Sequence, residues 1–378
     1  PAPAAASTLL LGHAGMVRRI TLTAVAYNAG IPKCEPRVPA SRELHAHGSE
    51  GRTRPLALSL PPGLTYRAGD HLGICPKNDE ERVEWLARRL DAAVDGLFMV
   101  PKTMNVHTVP KGVVLQVRNV LTSLVDITGA PTPALVGLLR EKAVEPAERS
   151  QLEEIGEEIA AGGYDAVRLL EELPSCTLNI FEFLQVVAPL RPRYYSPSSS
   201  PRVHGDGVAH LTVALDLVGM CSHYVHALHE GERVNVFLDS ADGFHLQEDM
   251  SKPMIFVSAG TGFAPMRAFL WERQALKDIG GGALAEAALF SGIRSRSLDH
   301  IYRDEIEQFA ADGVLDHVHT ATSRERQGVR EYLQDRIRAQ SGPGWRLLDA
   351  GAYVAVCAPP PRPGDVRRPW PSALPPHG

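Results

Sequence analysis

The chain has 378 residues, 44% of them hydrophobic and 22% charged, with a formal net charge of −5 at pH 7. That length suits two or three soluble domains, and the acidic balance excludes a general nucleic-acid binder. The five cysteines (Cys34, Cys75, Cys176, Cys221 and Cys357) are scattered with no Cys-x-x-Cys pair, which excludes a disulfide scaffold and fits a reducing cytoplasm, and no apolar run reaches the roughly 18 residues of a membrane span.

Residues 1–40 read as a Pro/Ala-rich leader or linker, with no cationic segment of the kind that opens a signal peptide and one candidate strand at 20–26. Residues 54–60 alternate as a half-buried strand, and Pro61, Pro62 and Gly63 turn the chain. Asp70 and His71 are adjacent in the next extended run, so they point to opposite faces and are structural rather than a catalytic pair. A helix is expected over 78–91, capped by Asn78 or Asp79, with Val83, Leu86 and Leu90 on one stripe. The segment from about 95 to 189 reads as mostly helical, with amphipathic helices at 122–128, 131–139 and 145–161. Glu153, Glu154, Glu157 and Glu158 form a solvated helix face there rather than a paired-carboxylate site.

Chemistry concentrates in the run Arg191-Pro-Arg-Tyr-Tyr-Ser-Pro-Ser-Ser-Ser-Pro201. As a strand it places Arg193 and Tyr195 on one side, Tyr194 and Ser196 on the other. An arginine fork beside a flat phenol suits a ligand with both a phosphate and a planar ring. After a strand at 210–216, Gly219, Met220, Cys221 and Ser222 form a turn, with Ser222 placed to cap a helix over 224–228. His223, His226 and His229 follow at helical spacing, but without further ligands they make no metal site. Residues 253–258 form a continuous apolar strand that runs into Gly260, Thr261 and Gly262 and then a helix, the layout of a diphosphate cradle. Further strands are expected at 287–294, ending on Arg294, at 318–323, leading into Ser323 and Arg324, and at 351–357, ending on Cys357.

These motifs carry a family resemblance. Arg193-Tyr194-Tyr195-Ser196 resembles the flavin-binding motif of the ferredoxin-reductase superfamily, and the wider run resembles the reductase half of diflavin enzymes, above all that of bacterial self-sufficient cytochromes P450. The resemblance implies that Arg193 holds the FAD diphosphate, that Tyr195 stacks on the isoalloxazine with Tyr194 beside it, and that Ser196 sits at the reactive flavin nitrogen. It implies that Gly219, Met220, Cys221 and Ser222 close on the FAD diphosphate, and that Gly260, Thr261, Gly262 and Arg294 line the nucleotide. By the same resemblance Ser323, Arg324, Arg330, Tyr332 and Gln334 take the 2′-phosphate and adenine of NADP(H), with arginine where relatives carry lysine, and Cys357 helps place the nicotinamide.

The implied fold is multidomain. It has an antiparallel FAD-binding β-barrel with a helical insert, over 41–250, then a doubly wound parallel α/β domain binding NADP, over 251–357. The implied activity is that of an NADPH-hemoprotein reductase passing electrons from NADPH through FAD to an FMN-containing domain or a haem protein. FMN itself enters only with an upstream domain, which the 40-residue leader is too short to contain. Two departures stand out. The loop before Gly219 is shorter than in relatives, and eight of the 21 residues in the 358–378 tail are proline, which suggests a shifted reading frame or a replaced end. The alternative expectation is therefore a flavin-binding remnant or interaction module with impaired hydride transfer.

Overall fold

The computed structural model describes residues 43–358 apart from 161, 217, 218, 242, 248, 281–283 and 326–329, together with the backbone of strand β1 (Thr8–Leu10). The candidate strand at 20–26 and the proline-rich tail lie outside the described residues.

Alternation builds the first half. In β2 (Thr53–Ser59) Leu56 and Leu58 are fully buried while Ala57 between them stays partly exposed. Before β3 (His71–Cys75), Gly69 has φ 103°. A Cβ there would stand 1.8 Å from the Phe244 carbonyl oxygen, so glycine alone lets these segments touch. Asp70 accepts hydrogen bonds from the Arg67 amide at 2.7 Å and from His245 Nε2 at 2.8 Å, not from His71.

The insert begins with α1 (Glu80–Arg89), capped by Asp79, whereas Asn78 is buried and donates to the Leu121 and Val125 carbonyls. A hairpin follows, β4 (Leu97–Met99) and β5 (Val114–Gln116), which the helical reading of this segment missed. Then come α2 (Val117–Ser123), α3 (Pro133–Lys142), α4 (Pro146–Glu154), α5 (Gly156–Ala160), α6 (Ala166–Glu171) and α7 (Ile180–Val186). The helix expected at 122–128 instead ends at Ser123, because Asp126 accepts from the amides of Thr128 and Gly129 and turns the chain. Glu153, Glu154, Glu157 and Glu158 are exposed, and the helices close on Leu86, Leu121, Leu139, Leu152 and Phe183.

The chain returns through β6 (Arg193–Tyr195), the short α8 (Pro201–His204), β7 (Val208–Ala214), α9 (Met220–Ala227) and β8 (Asn235–Asp239). Two antiparallel sheets, β6-β3-β8 and β2-β7, enclose one core of Leu56, Leu72, Ile74, Leu211 and Val236.

The second half is parallel: β9 (Met254–Ala259), α10 (Phe263–Asp278), β10 (Ala287–Ile293), α11 (Arg303–Ala311), β11 (His317–Thr322), α12 (Leu333–Ala339), α13 (Ser341–Asp349) and β12 (Tyr353–Cys357). The order is β12-β9-β10-β11, with β1 antiparallel on the outer edge of β12. Both faces of β9 are covered. Met254 and Phe256 pack with Phe269 and Phe309, while Ile255 and Val257 pack with Leu333, Ile337 and Leu347. Double coverage is why the strand reads as an unbroken apolar run. Ala68, Ala241 and Phe244 of the first half join the same core as Met266 and Phe269, so the two halves share buried surface. Among the described residues no helix is long and apolar enough to cross a membrane.

Candidate functional site

Arg193, Tyr194 and Tyr195 make up all of β6, paired with β3 so that Tyr195 faces Leu72 and Tyr194 faces Gly73. The strand separates them as the alternation requires. Tyr194, 42% exposed, packs edge-on against Phe237 with ring centres 5.7 Å apart. Tyr195 turns inward and shares a hydrogen bond with Cys221 at the start of α9. Burial pushes the Tyr195 phenol well above its ordinary range and the Cys221 thiol up to about 11, so both are neutral at pH 7. Arg193 donates to the Arg191 carbonyl at 2.9 Å, and its charge favours the ionised forms of Tyr195 and Cys221. Arg193, Tyr195 and the segment from Gly219 to Ser222 therefore gather in one place. Ser196 follows half-buried at the end of β6.

The helix after Gly219 corrects one expectation. It spans Met220 to Ala227, starting four residues before the expected 224, and Gly219 is its N-cap. Ser222 lies inside its first turn and is no cap. Its Oγ donates to the Gly219 carbonyl at 2.7 Å and accepts from the Asp216 amide at 3.0 Å, which ties Asp216 to the start of the helix. No side chain caps α9, so its first amides have no partner from a capping residue. His226 donates from Nε2 to the Val213 carbonyl at 3.0 Å, a structural bond.

The second half of the Arg191–Pro201 run does something the sequence did not disclose. Ser198, Ser199 and Ser200 are all fully buried and already partnered. Ser199 Oγ meets the Tyr66 hydroxyl at 2.5 Å and accepts from the His210 amide at 2.8 Å. Ser200 caps α8 and donates to Glu272 of α10 at 2.6 Å, and the same carboxylate takes Arg202 at 2.6 Å. Arg267 of α10 donates to the Ser198 carbonyl at 2.6 Å, chelates Glu305 at 2.6 and 2.9 Å, and lies 4.6 Å over the Tyr302 ring. Tyr302 in turn bonds Thr212 of β7 at 2.8 Å. Ser198 and Ser200 join the two halves. Their partners on α10 lie about 70 residues away in the chain, beyond any local signal.

Gly260, Thr261 and Gly262 form a single 3-10 turn between β9 and α10, lying against β7. Gly260 has φ 54° with open space where a side chain would go. Gly262 is the opposite case: a Cβ would stand 2.1 Å from the Cys357 carbonyl oxygen. No side chain caps α10 either. Cys357 ends β12 beside Ser258, and burial alone lifts its thiol to about 11. The Ser258 hydroxyl, fully buried under this turn, has no hydrogen-bond partner among the described residues.

Arg294, Ser323 and Arg324 come together at the carboxyl ends of β10 and β11. The Ser323 amide donates to the Ile293 carbonyl at 3.0 Å, and the Arg324 amide donates to the Arg294 carbonyl at 2.8 Å. Arg330 is exposed, Tyr332 is the N-cap of α12, and Gln334 lies half-buried in its first turn. The start of α12 is tied to β11 by the Glu331 amide on the Thr322 carbonyl at 3.2 Å. Arg324 is not free: it is ion-paired with Glu50, from the loop that precedes β2. Sequence reading missed Glu50 because nothing local marks it.

The pieces fit a flavin and a dinucleotide. Two uncapped helix starts, a glycine turn with no room for a side chain, and an arginine beside a neutral phenol suit diphosphates and a planar ring. Comparison with known proteins agrees. The family model described as FAD binding domain matches residues 34–223, and that described as oxidoreductase NAD-binding domain matches residues 256–367. Bifunctional cytochrome P450/NADPH–P450 reductase 1 of Bacillus subtilis is 33% identical over 338 residues, covering 85% of this chain and 32% of the relative. The bifunctional cytochrome P450/NADPH–P450 reductase of Bacillus cereus is 30% identical over 339 residues (84% of this chain, 31% of the relative). Nitric oxide synthase of Drosophila melanogaster is 34% identical over 357 residues (84% and 25%). The chain thus spans about a third or less of the length of these relatives. It belongs to the flavoprotein oxidoreductases in which an FAD binding domain precedes an NAD-binding domain, with FAD and NADP(H) as cofactors.

Proposed function

We propose that this chain oxidises NADPH and delivers the electrons through FAD to an acceptor that carries FMN or haem, such as an FMN-containing domain or a cytochrome P450. The observation that carries the reading is the Gly260–Gly262 turn, seated against β7 of the flavin half with Cys357 at its back. β7 in turn packs against β6, the strand that carries Tyr195.

When bound, FAD supplies the hydride-accepting and single-electron chemistry. The residues have simpler tasks. Arg193 and the start of α9, at Gly219, Met220, Cys221 and Ser222, hold the FAD diphosphate. Tyr195 offers a flat neutral face to the isoalloxazine, with Tyr194 on the outer side of β6, and Ser196 presents a hydroxyl at the edge of the ring. Gly260, Thr261, Gly262 and Arg294 seat the NADPH diphosphate. Ser323, Arg324 and Arg330 take the 2′-phosphate, and Tyr332 and Gln334 take the adenine. Cys357 is a neutral thiol at pH 7, so its part is to shape the nicotinamide site rather than to act as a nucleophile.

The test is a visible spectrum of the purified chain, followed by NADPH without oxygen. Yellow protein that bleaches within seconds supports the reductase reading. Yellow protein that stays yellow makes the chain a flavin-binding module without hydride transfer, and colourless protein that takes up no added FAD overturns both.

A further inference from the structure

The loop 45–52 of the flavin half crosses to the nucleotide half and meets two of its cations, Arg294 and Arg324. His45 anchors it from both ring nitrogens, Nδ1 at 2.7 Å from the Gly51 carbonyl and Nε2 at 2.9 Å from Thr53 Oγ1. The Ala46 amide donates to the Leu298 carbonyl at 2.9 Å, which fixes the loop onto the segment after β10. Gly51 then passes so close to Arg294 that a Cβ would stand 3.3 Å from its Nη1. At the end of this tether the Glu50 carboxylate pairs with the guanidinium of Arg324.

We propose that Glu50 is a specificity-determining residue that weakens this chain's preference for nucleotides bearing a 2′-phosphate. The inference rests on the reading above, in which Arg324 receives that phosphate. A phosphomonoester carries about −1.5 to −2 charges at pH 7 and offers three acceptor oxygens, so it displaces a single carboxylate from an arginine. It must nevertheless break the existing pair, and it then sits beside the carboxylate it displaced. The tether keeps that carboxylate close. A nucleotide with only a 2′-hydroxyl leaves the pair intact, meets no repulsion, and can donate its hydroxyl to Glu50. Because Glu50 is 75% and Arg324 54% exposed, the effect is screened by salt and modest in size.

The experiment titrates the purified full chain with 2′,5′-ADP and separately with 5′-ADP, by calorimetry, so that no turnover is needed. The proteins are the parent, Glu50→Gln, Arg324→Ala and the double variant. At low salt Glu50→Gln is expected to tighten 2′,5′-ADP about 3- to 5-fold and to leave 5′-ADP unchanged or slightly weaker. The gain should fade at about 0.5 M salt and vanish in the Arg324→Ala background. If Arg324→Ala weakens 2′,5′-ADP while Glu50→Gln leaves it unchanged or weakens it, the role of Glu50 is overturned and the reading of Arg324 stands. If Arg324→Ala leaves 2′,5′-ADP binding as it was, that reading fails and the proposal falls with it.

Discussion

The start of α9 at Gly219 and the start of α10 after Gly262 both lack a side-chain cap, yet they are held by different means. At Gly219 the neighbours are side chains. A Cβ would meet Asp216 Cβ at 2.8 Å and Ser222 Oγ at 2.9 Å, and φ is −86°, open to any residue. At Gly262 the neighbour is backbone, the Cys357 carbonyl oxygen at 2.1 Å. The first turn is thus a hydroxyl-tied loop on an eight-residue helix, and the second is a packed joint between two parallel strands and a sixteen-residue helix. A side chain can rotate away from an intruding methyl, whereas a carbonyl in a strand cannot without moving the sheet. The flavin turn should therefore tolerate change that the nucleotide turn does not.

Substitution at the second turn has the largest expected effect. Gly262→Ala should destabilise the chain by about 3 kcal/mol and abolish NADP+ binding, read by thermal melting and calorimetry. Gly219→Ala should cost about 1 kcal/mol, and equal losses at the two sites would erase the contrast.

Next in size is a pH effect at the joint between the halves. His210 lies against His204, with ring centres 4.8 Å apart, and near Arg267 and Glu305. Burial first, then the His204 and Arg267 charges, push its pKa down to about 4. The unfolded value is about 6.5, so between these limits the unfolded chain binds a proton that the folded chain refuses. The stability is fully present above about pH 6.5 and is lost as pH falls toward 4. Allowing for its partial exposure, the loss is at most about 2 kcal/mol. Urea denaturation at pH 7.5 and 5.0 should show it, and His210→Gln should flatten the difference; an unchanged slope would assign it to another group.

Smaller effects probe the flavin turn itself. Tyr195→Ala should weaken FAD retention about 10-fold, measured by spectral titration of the stripped protein. Retention equal to the parent would remove Tyr195 from the ring site. Ser222→Ala breaks the bonds to Gly219 and Asp216 and should cost about 1 kcal/mol in melting, with a few-fold loss of FAD. Were Ser222→Ala as damaging as Gly262→Ala, the flavin turn would be as rigid as the nucleotide turn.

Much of this was legible in the chain. Leu56 and Leu58 announce a half-buried strand by alternation, residues 254–257 announce a doubly covered one by their unbroken apolarity, and Gly260 and Gly262 announce the turn between strand and helix. Other features were not. The helix from Met220 started earlier than Ser222 suggested, because that hydroxyl serves the preceding turn. The hairpin of β4 and β5 hides in a segment of helical composition, and its Leu97, Met99 and Val114 are exposed, so no burial pattern marks it.

The division has a physical cause. Periodicity, turn residues and motif chemistry act over a few neighbours, and they determined the main strands of both halves, the pairing of Arg193 with Tyr195, and the glycine turn. Which carboxylate meets which arginine depends on surfaces that only folding brings together. Tertiary structure alone decided that Ser200 serves Glu272, that Ser198 serves Arg267, and that Glu50 faces Arg324, since each pair joins one half of the chain to the other.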